Sequence, residues 1–478
     1  MMDNRTLARG AALRNNRNIK AFGGSMIATA QLSRRSRLVD AANVALRGLW
    51  STCPARRPEL DADALLDDAR RDTGLSDFGD PWFDEPLRQL VASLRQEADL
   101  NELGLFAAAG QLRKVLRDRL AAQAIMADHP EISRRSLASP VIVVGPMRSG
   151  TTRLHRLLAA DSRFFHMRAF ETINPVPPPG FRPGMADRRW IVARAAMGAI
   201  HLLNPSTAVI HPSGPFEPEE ELGLLVRSIW GMKHEAQWNV PGYGRWAEAQ
   251  DATPAYRMMA SLLRLVGWAR GEDDSRPWVL KTPQHMLDLP ALLAVFPDAR
   301  IVFTHREPRA VVGSSCSLVW NQSIIHSDRA DPAAIGREWL RKTELQIERM
   351  RRAREALPPD QRIDVCFGDM ERDWQAVMRE IYAFLAMDIE PALPAMAHYM
   401  ASSDRALERH PHHYSLEMFG LHPGEVAERF EDYTAAFDLV RLRPVPVTRP
   451  TEPQPLVQTG GLVGWDATER AQIAGGRG

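Results

Sequence analysis

From Asp61 to Asp128, apolar residues recur at three- and four-residue intervals with charges between them. This spacing predicts helices near Ala62–Thr73, Asp84–Ala98 and Leu105–Asp128, the last stopped by His129-Pro130. At Pro140 the texture changes. Val141-Ile142-Val143-Val144 is an unbroken β-branched run, as a parallel strand buried on both faces requires. Comparable runs follow at Trp278–Leu280, Arg300–Thr304 and Ile363–Phe367. Helical patterns separate them, at Thr152–Ala160, Glu219–Trp230, Pro254–Arg270, Ala334–Ala356 and Trp374–Leu385. Strands alternating with helices predict an α/β fold: a parallel sheet with right-handed crossovers, flanked by helices, behind a helical N-terminal region.

The same pass divides the chain. Residues 1–58 read as a basic, poorly ordered arm (Arg5, Arg9, Arg14, Arg17, Lys20) with one short apolar patch near Val39–Trp50. Residues 59–135 form the helical layer and 136–440 the α/β domain, with a helical insertion or lid over 172–275. That insertion opens on the proline-rich stretch Asn174–Pro183, which has neither helical nor strand period. From 441 to 478 proline and then glycine predict an extended tail.

Charge and cysteine content narrow the classes. A formal charge of +1 gives no global field for nucleic acid, so any anion site must be local. Cys53, Cys316 and Cys366 lack metal-ligand or disulfide spacing and read as small core fillers. No apolar run approaches the roughly 18 residues of a membrane span, and the basic N-terminus lacks the apolar stretch of a secretory signal. The expectation is a cytoplasmic protein. Oligomeric state is not readable from the sequence.

The strongest chemical signal follows the first strand. Gly145-Pro146-Met147-Arg148-Ser149-Gly150-Thr151-Thr152 lies between strand and helix, where backbone N–H groups and the helix dipole favour an anion. The spacing is that of a nucleotide-triphosphate loop, making the fold P-loop-like, but Thr151 stands where such a loop carries lysine. The fixed cation is Arg148, inside the loop. A second element follows the strand Arg300–Thr304. Arg306 stands at the strand's carboxyl end, where open α/β sheets bind ligands, and Ser314 lies eight residues on. Together they suit a second phosphate.

Both elements together resemble the PAPS-dependent sulfotransferase superfamily (PAPS is 3′-phosphoadenosine 5′-phosphosulfate), and within it a bacterial subfamily. Arg148-Ser149-Gly150-Thr151-Thr152 is similar to the family's 5′-phosphosulfate loop. Arg306 and Ser314 have the spacing of its 3′-phosphate pair. Further likeness lies in Phe170-Glu171-Thr172, Leu280-Lys281-Thr282-Pro283-Gln284-His285, Phe296-Pro297-Asp298-Ala299-Arg300, Phe367-Gly368-Asp369-Met370 and His413-Tyr414-Ser415-Leu416. The resemblance runs from about Asp61 to Leu439. It implies transfer of a sulfuryl group from PAPS to a hydroxyl or amine by in-line displacement, without a metal. It also makes residues 172–275 an acceptor lid. Small-molecule, lipid and glycan acceptors stay open; nucleic acid is not expected.

Gly145, Arg148, Ser149, Gly150, Thr151, Thr152, Arg306 and Ser314 are thus expected to hold the donor. Charge moves onto the departing phosphate during transfer, so cations at Arg148 and Lys281 are expected to speed it. A base must take the acceptor's proton. Glu171, near where one branch of the family carries a glutamate base, is preferred over His285, which is displaced by two residues from the cytosolic branch's histidine. The cytosolic branch's Arg-Lys-Gly phosphate grip has no counterpart here; Arg409, His410, His412 and His413 form the nearest basic cluster. The rival readings are an ATP-dependent phosphoryl transferase on the same fold and a non-catalytic nucleotide-binding protein. Glu217, Glu219, Glu220 and Glu221 are read as opening a helix, where carboxylates suit the dipole.

Overall fold

The computed structural model describes residues 32–207, 213–409 and 414–439, with side chains for all but 403–409. The basic residues of the arm before position 32, the cluster Arg409, His410, His412 and His413, and the tail from 440 lie outside the described residues or side chains.

Four parallel strands, β1 (Val141–Val144), β2 (Val279–Lys281), β3 (Arg300–His305) and β4 (Arg362–Cys366), form one sheet in the order β2-β1-β3-β4. The register pairs Ile142 with Leu280 on one side and with Ile301 on the other, and Thr304 with Val365. All four β1 residues are buried. Their side chains alternate between two layers, as a period of two demands. Ile142 and Val144 join one core with Leu280, Ile301 and Phe303, formed against helices Thr253–Arg270, His285–Val295, Pro308–His326 and Pro332–Ala356. Val141 and Val143 join the other with Leu154, Leu157, Leu158, Met378 and Ile381, under helices Thr151–Ala159 and Trp374–Phe384. Each buried aliphatic side chain contributes about 1.5–3 kcal/mol, so a strand without a polar position is strongly fixed in register.

The helical N-terminal region is present as helices Ala62–Thr73, Asp84–Gln96 and Glu102–Asp128, with their own core that includes Leu65, Leu90, Leu112 and Leu116. Caps explain their starts: Asp61 and Asn101 accept from Ala64 N and Gly104 N. The apolar patch in the expected arm is a full helix, Arg37–Thr52. It buries Val39 and Trp50 and is capped by Ser36.

Two further expectations need correction. Glu219–Trp230 is not one helix: only Leu222–Leu225 is α-helical, followed by a tighter turn at Val226–Ser228, and Ile229 reverses the chain at φ 53°. The glutamates precede the helix because two of them are drawn to β2 and its following helix, as described below. Cys53 is exposed, whereas Cys316 is buried. Among the described residues no helix is long and apolar enough to cross a membrane.

Candidate functional site

β1 continues to β2 on one flank, and the chain then crosses to β3 on the other, so the carboxyl ends of β1 and β3 border the crevice where open α/β sheets take ligands. The loop after β1 is shaped for close approach. Arg148 has φ 66° and Gly150 φ 88°, both left-handed. A Cβ at Gly145 would lie 1.9 Å from Thr304 Oγ1, and one at Gly150 2.7 Å from the Phe367 ring. Ser149 Oγ donates to Pro146 O (2.7 Å) and lies 2.8 Å from Thr304 Oγ1, tying the loop to β3. Helix Thr151–Ala159 starts directly from Gly150, aiming its first N–H groups at the loop.

The two expected phosphate elements meet here. Arg148 Nε donates to Ser314 Oγ at 3.0 Å, and Arg306 Nη1 donates to the Arg148 carbonyl. The Arg306 guanidinium lies 4.0 Å from the centre of the Phe367 ring, and its buried Nε has no partner among the described residues. Burial pulls both guanidinium groups below their ordinary pKa, and for Arg306 the Arg148 charge adds to this. Arginine stays charged regardless, so the site holds two confined cations beside a buried donor without a partner, an arrangement that suits an anion. A cavity of about 190 Å³ adjoins them, lined in part by His305, Arg306, Phe367 and Gly368. In the sequence Phe367 stands out only within a stretch of family likeness, with no role at the site; its place directly after β4 is what sets it beside Arg306.

The second cation sits at the carboxyl end of β2. Lys281 Nζ lies 2.5 Å from Glu220 Oε1 and 3.3 Å from Thr152 Oγ1, which connects it to the first turn after the loop. Glu221 holds the same segment from below: Oε2 accepts from Lys281 N at 2.9 Å, and Oε1 lies 2.6 Å from His285 Nε2. His285 Nδ1 is 2.9 Å from the phenol oxygen, Oη, of Tyr256. Burial raises the Tyr256 pKa, so the phenol facing Nδ1 keeps its proton, while the Glu221 carboxylate, which can only accept, takes the bond from Nε2–H. His285 is fully buried with both ring nitrogens engaged. The acidic run at 217–221 was the available signal for Glu220 and Glu221.

Glu171 lies on the short helix Ala169–Ile173, whose Thr172 Oγ1 donates to the Glu220 carbonyl at 2.8 Å. It is buried against Arg270, with Oε1 2.8 Å from Nε and Oε2 2.5 Å from Nη2, and Oε2 also accepts from Arg168 N. Burial alone would raise the carboxyl; the charge and hydrogen bonds of Arg270, with help from Arg168, outweigh it and leave Glu171 below its ordinary pKa. One turn beyond Thr151, His155 is buried with neither ring nitrogen partnered among the described residues. Burial first, then the Lys281 charge, hold it well below its ordinary pKa, hence neutral. Among the described residues no group of His, Cys, Asp and Glu is arranged to hold a metal ion.

A lysine-free glycine loop at the switch point of a parallel sheet, backed by arginines that follow two strand ends, is the arrangement of a group-transfer protein of the P-loop-like class. The chain belongs to the sulfotransferase family, whose model matches residues 140–391. Among curated proteins it is similar to the omega-hydroxy-beta-dihydromenaquinone-9 sulfotransferase Stf3 of Mycobacterium bovis and of Mycobacterium tuberculosis. Each is 23% identical over 358 residues, covering 70% of this chain and 83% of the relative. Among solved structures it is similar to sulfotransferase STF1 from Mycobacterium tuberculosis, with TM-score 0.69 and 30% identity over 79% of this chain and all of that one. Sulfotransferase STF9 from Mycobacterium avium gives 0.68 and 25%, over 80% of this chain and 97% of that one.

Proposed function

We propose that this sulfotransferase takes its sulfuryl group from PAPS and passes it to a hydroxyl of a lipid-like acceptor. The donor part rests on the meeting of Arg148, Ser314 and Arg306 beside a glycine cradle, with the Arg306 Nε lacking a partner among the described residues. In this reading Gly145, Ser149, Gly150, Thr151 and Thr152 surround the 5′-phosphosulfate, and Arg306 and Ser314 hold the 3′-phosphate. Phe367 borders the adenine. PAPS supplies an activated sulfur with a phosphate leaving group; the protein's part is to position and to balance charge.

Arg148 and Lys281 are the proposed cations, placed to offset charge on the departing phosphate and the sulfuryl oxygens. For the base we propose Glu171, held by Arg270, whose Oε1 accepts from a single donor and so keeps a lone pair. His285 has none to spare, and its proposed part is to orient Lys281 through Glu221. The lipid-like acceptor is supported by the curated relatives, which are named for a hydroxylated menaquinone. Incubation with labelled PAPS and a panel of prenyl alcohols, sterols and small phenols tests the whole. Label transfer to a prenyl alcohol is the expected result, and turnover only with ATP and Mg²⁺ would replace this reading with phosphoryl transfer.

A further inference from the structure

Two helices carry apolar side chains on their outer faces. Helix Arg37–Thr52 buries one stripe, through Val39 and Trp50, yet leaves Leu38, Val44 and Leu49 outward. Helix Arg189–Leu203 buries only Arg189 and Ala193, and Ile191, Val192 and Leu202 stand outward at helical spacing. These six are between 37% and 67% exposed. The helices are joined where Ser36 N donates to Leu203 O (2.9 Å), with Leu38 and Leu202 close by in sequence on either side of that bond. So much apolar surface on adjoining elements marks an interaction face.

We propose that this face docks on an anionic phospholipid bilayer. Charge supports that occupant. Arg34, Arg37 and Arg188 are exposed at the ends of the two helices. Upstream, Arg5, Arg9, Arg14, Arg17 and Lys20 are opposed only by Asp3 over residues 1–31, in a chain whose net charge is +1. Arg34, Arg37 and Arg188, at the ends of helices with exposed apolar side chains, suit the boundary between lipid headgroups and acyl chains. A two-fold contact between copies would instead set this basic rim against its own equivalent.

The face also adjoins the site. Helix Arg189–Leu203 packs on helix Ala169–Ile173, which carries Glu171, and Arg189 Nη1 donates to the carbonyls of Asn174 and Pro175 in the loop between them. Docking would therefore bring the proposed base close to the layer that holds a lipid-like acceptor; in purpose, though not in measurement, the inference rests on the acceptor reading above.

The test is sedimentation of the full chain with vesicles of phosphatidylcholine plus phosphatidylglycerol, and with phosphatidylcholine alone. Binding to the anionic vesicles is expected, weakened by salt and reduced about tenfold in Val192→Glu/Leu202→Glu. Both positions are exposed, and the melting temperature checks folding; Leu38→Glu/Val44→Glu repeats the test on the other helix. No binding to anionic vesicles, or equal binding by both variants, overturns the proposal. So does a dimer in ultracentrifugation that the same substitutions dissociate, which would assign the face to a second copy. Vesicle binding without sulfation of a vesicle-borne prenyl alcohol sinks the acceptor reading alone, and sulfation without vesicle binding sinks only the docking.

Discussion

Arg306 donates to the backbone carbonyl of Arg148, so the first residue after β3 fixes the loop that follows β1. The Arg148 side chain in turn reaches Ser314, eight residues beyond Arg306. A change at either arginine therefore disturbs both proposed phosphate elements, but unequally.

Arg148→Ala is expected to lower kcat by about 10²–10³-fold, the usual loss for one preorganised donor at developing charge. Arg306→Ala is expected to act chiefly on affinity. Loss of a charge-assisted bond costs about 1.5–3 kcal/mol, or roughly 10–100-fold in Kd for 3′,5′-bisphosphoadenosine. Titration calorimetry and single-turnover rates separate the two. Unchanged affinity in Arg306→Ala would remove it from the proposed nucleotide site.

Gly145→Ala should fold yet bind the bisphosphate weakly. Its Cβ would crowd Thr304 Oγ1 and displace the contact between Ser149 and Thr304. Thermal shift with the bisphosphate reads this directly. Wild type at about 100 times Kd should gain roughly 2.7 kcal/mol, and the variant most of that only at far higher ligand concentration.

Glu171→Gln should cost about 10²–10⁴ in kcat with little change in donor affinity, as expected of a lost general base. His285→Asn should cost less, because its part is to hold Glu221 and, through it, Lys281. Equal rates for wild type and Glu171→Gln would discard the glutamate. Arg270→Ala is the companion experiment: removing the partner of a buried carboxylate should destabilise the fold by about 3–5 kcal/mol, seen in urea titration.

Stability should fall as pH drops from about 6.5 to 4. Burial lowers His234 to about 3 and His326 to about 4. In the unfolded chain both titrate near the ordinary value, so the unfolded state binds more protons throughout that window and acid favours it. Above about 6.5 both states hold these rings neutral and the contribution is complete. Melting temperatures across the range check the sign; a flat profile would mean that other groups cancel these two. His326→Gln should make the slope shallower.

The glycine loop after β1 was legible because it is local. Gly145 to Thr152 is one continuous stretch behind a strand without polar positions, and the sequence reading of β1 matches the structure residue for residue. Lys281 was legible as a residue, but not its company. Glu220 lies 61 residues away from it, Glu221 64 from His285 and Arg270 99 from Glu171, and no periodicity relates such positions. The acidic run misled for a physical reason: as a pattern it resembles a helix start, but two of its carboxylates are taken by a lysine and a histidine from another part of the chain. The helix Arg37–Thr52 is expected from the sequence only as an apolar patch inside a basic arm, yet Val39 and Trp50 fix it to the body of the protein.

The order of strands also sets the order in which the molecule comes apart. β1 is enclosed by neighbours on both sides and covered on both faces, whereas β4 lies at the margin with only Val365 of its five residues buried. Amide exchange should therefore begin at β4 and reach β1 last. The loop carrying Arg148 hangs from the most durable strand, so a molecule whose margin has frayed still keeps that half of its proposed donor site, while the Phe367 side, which follows β4, is lost early.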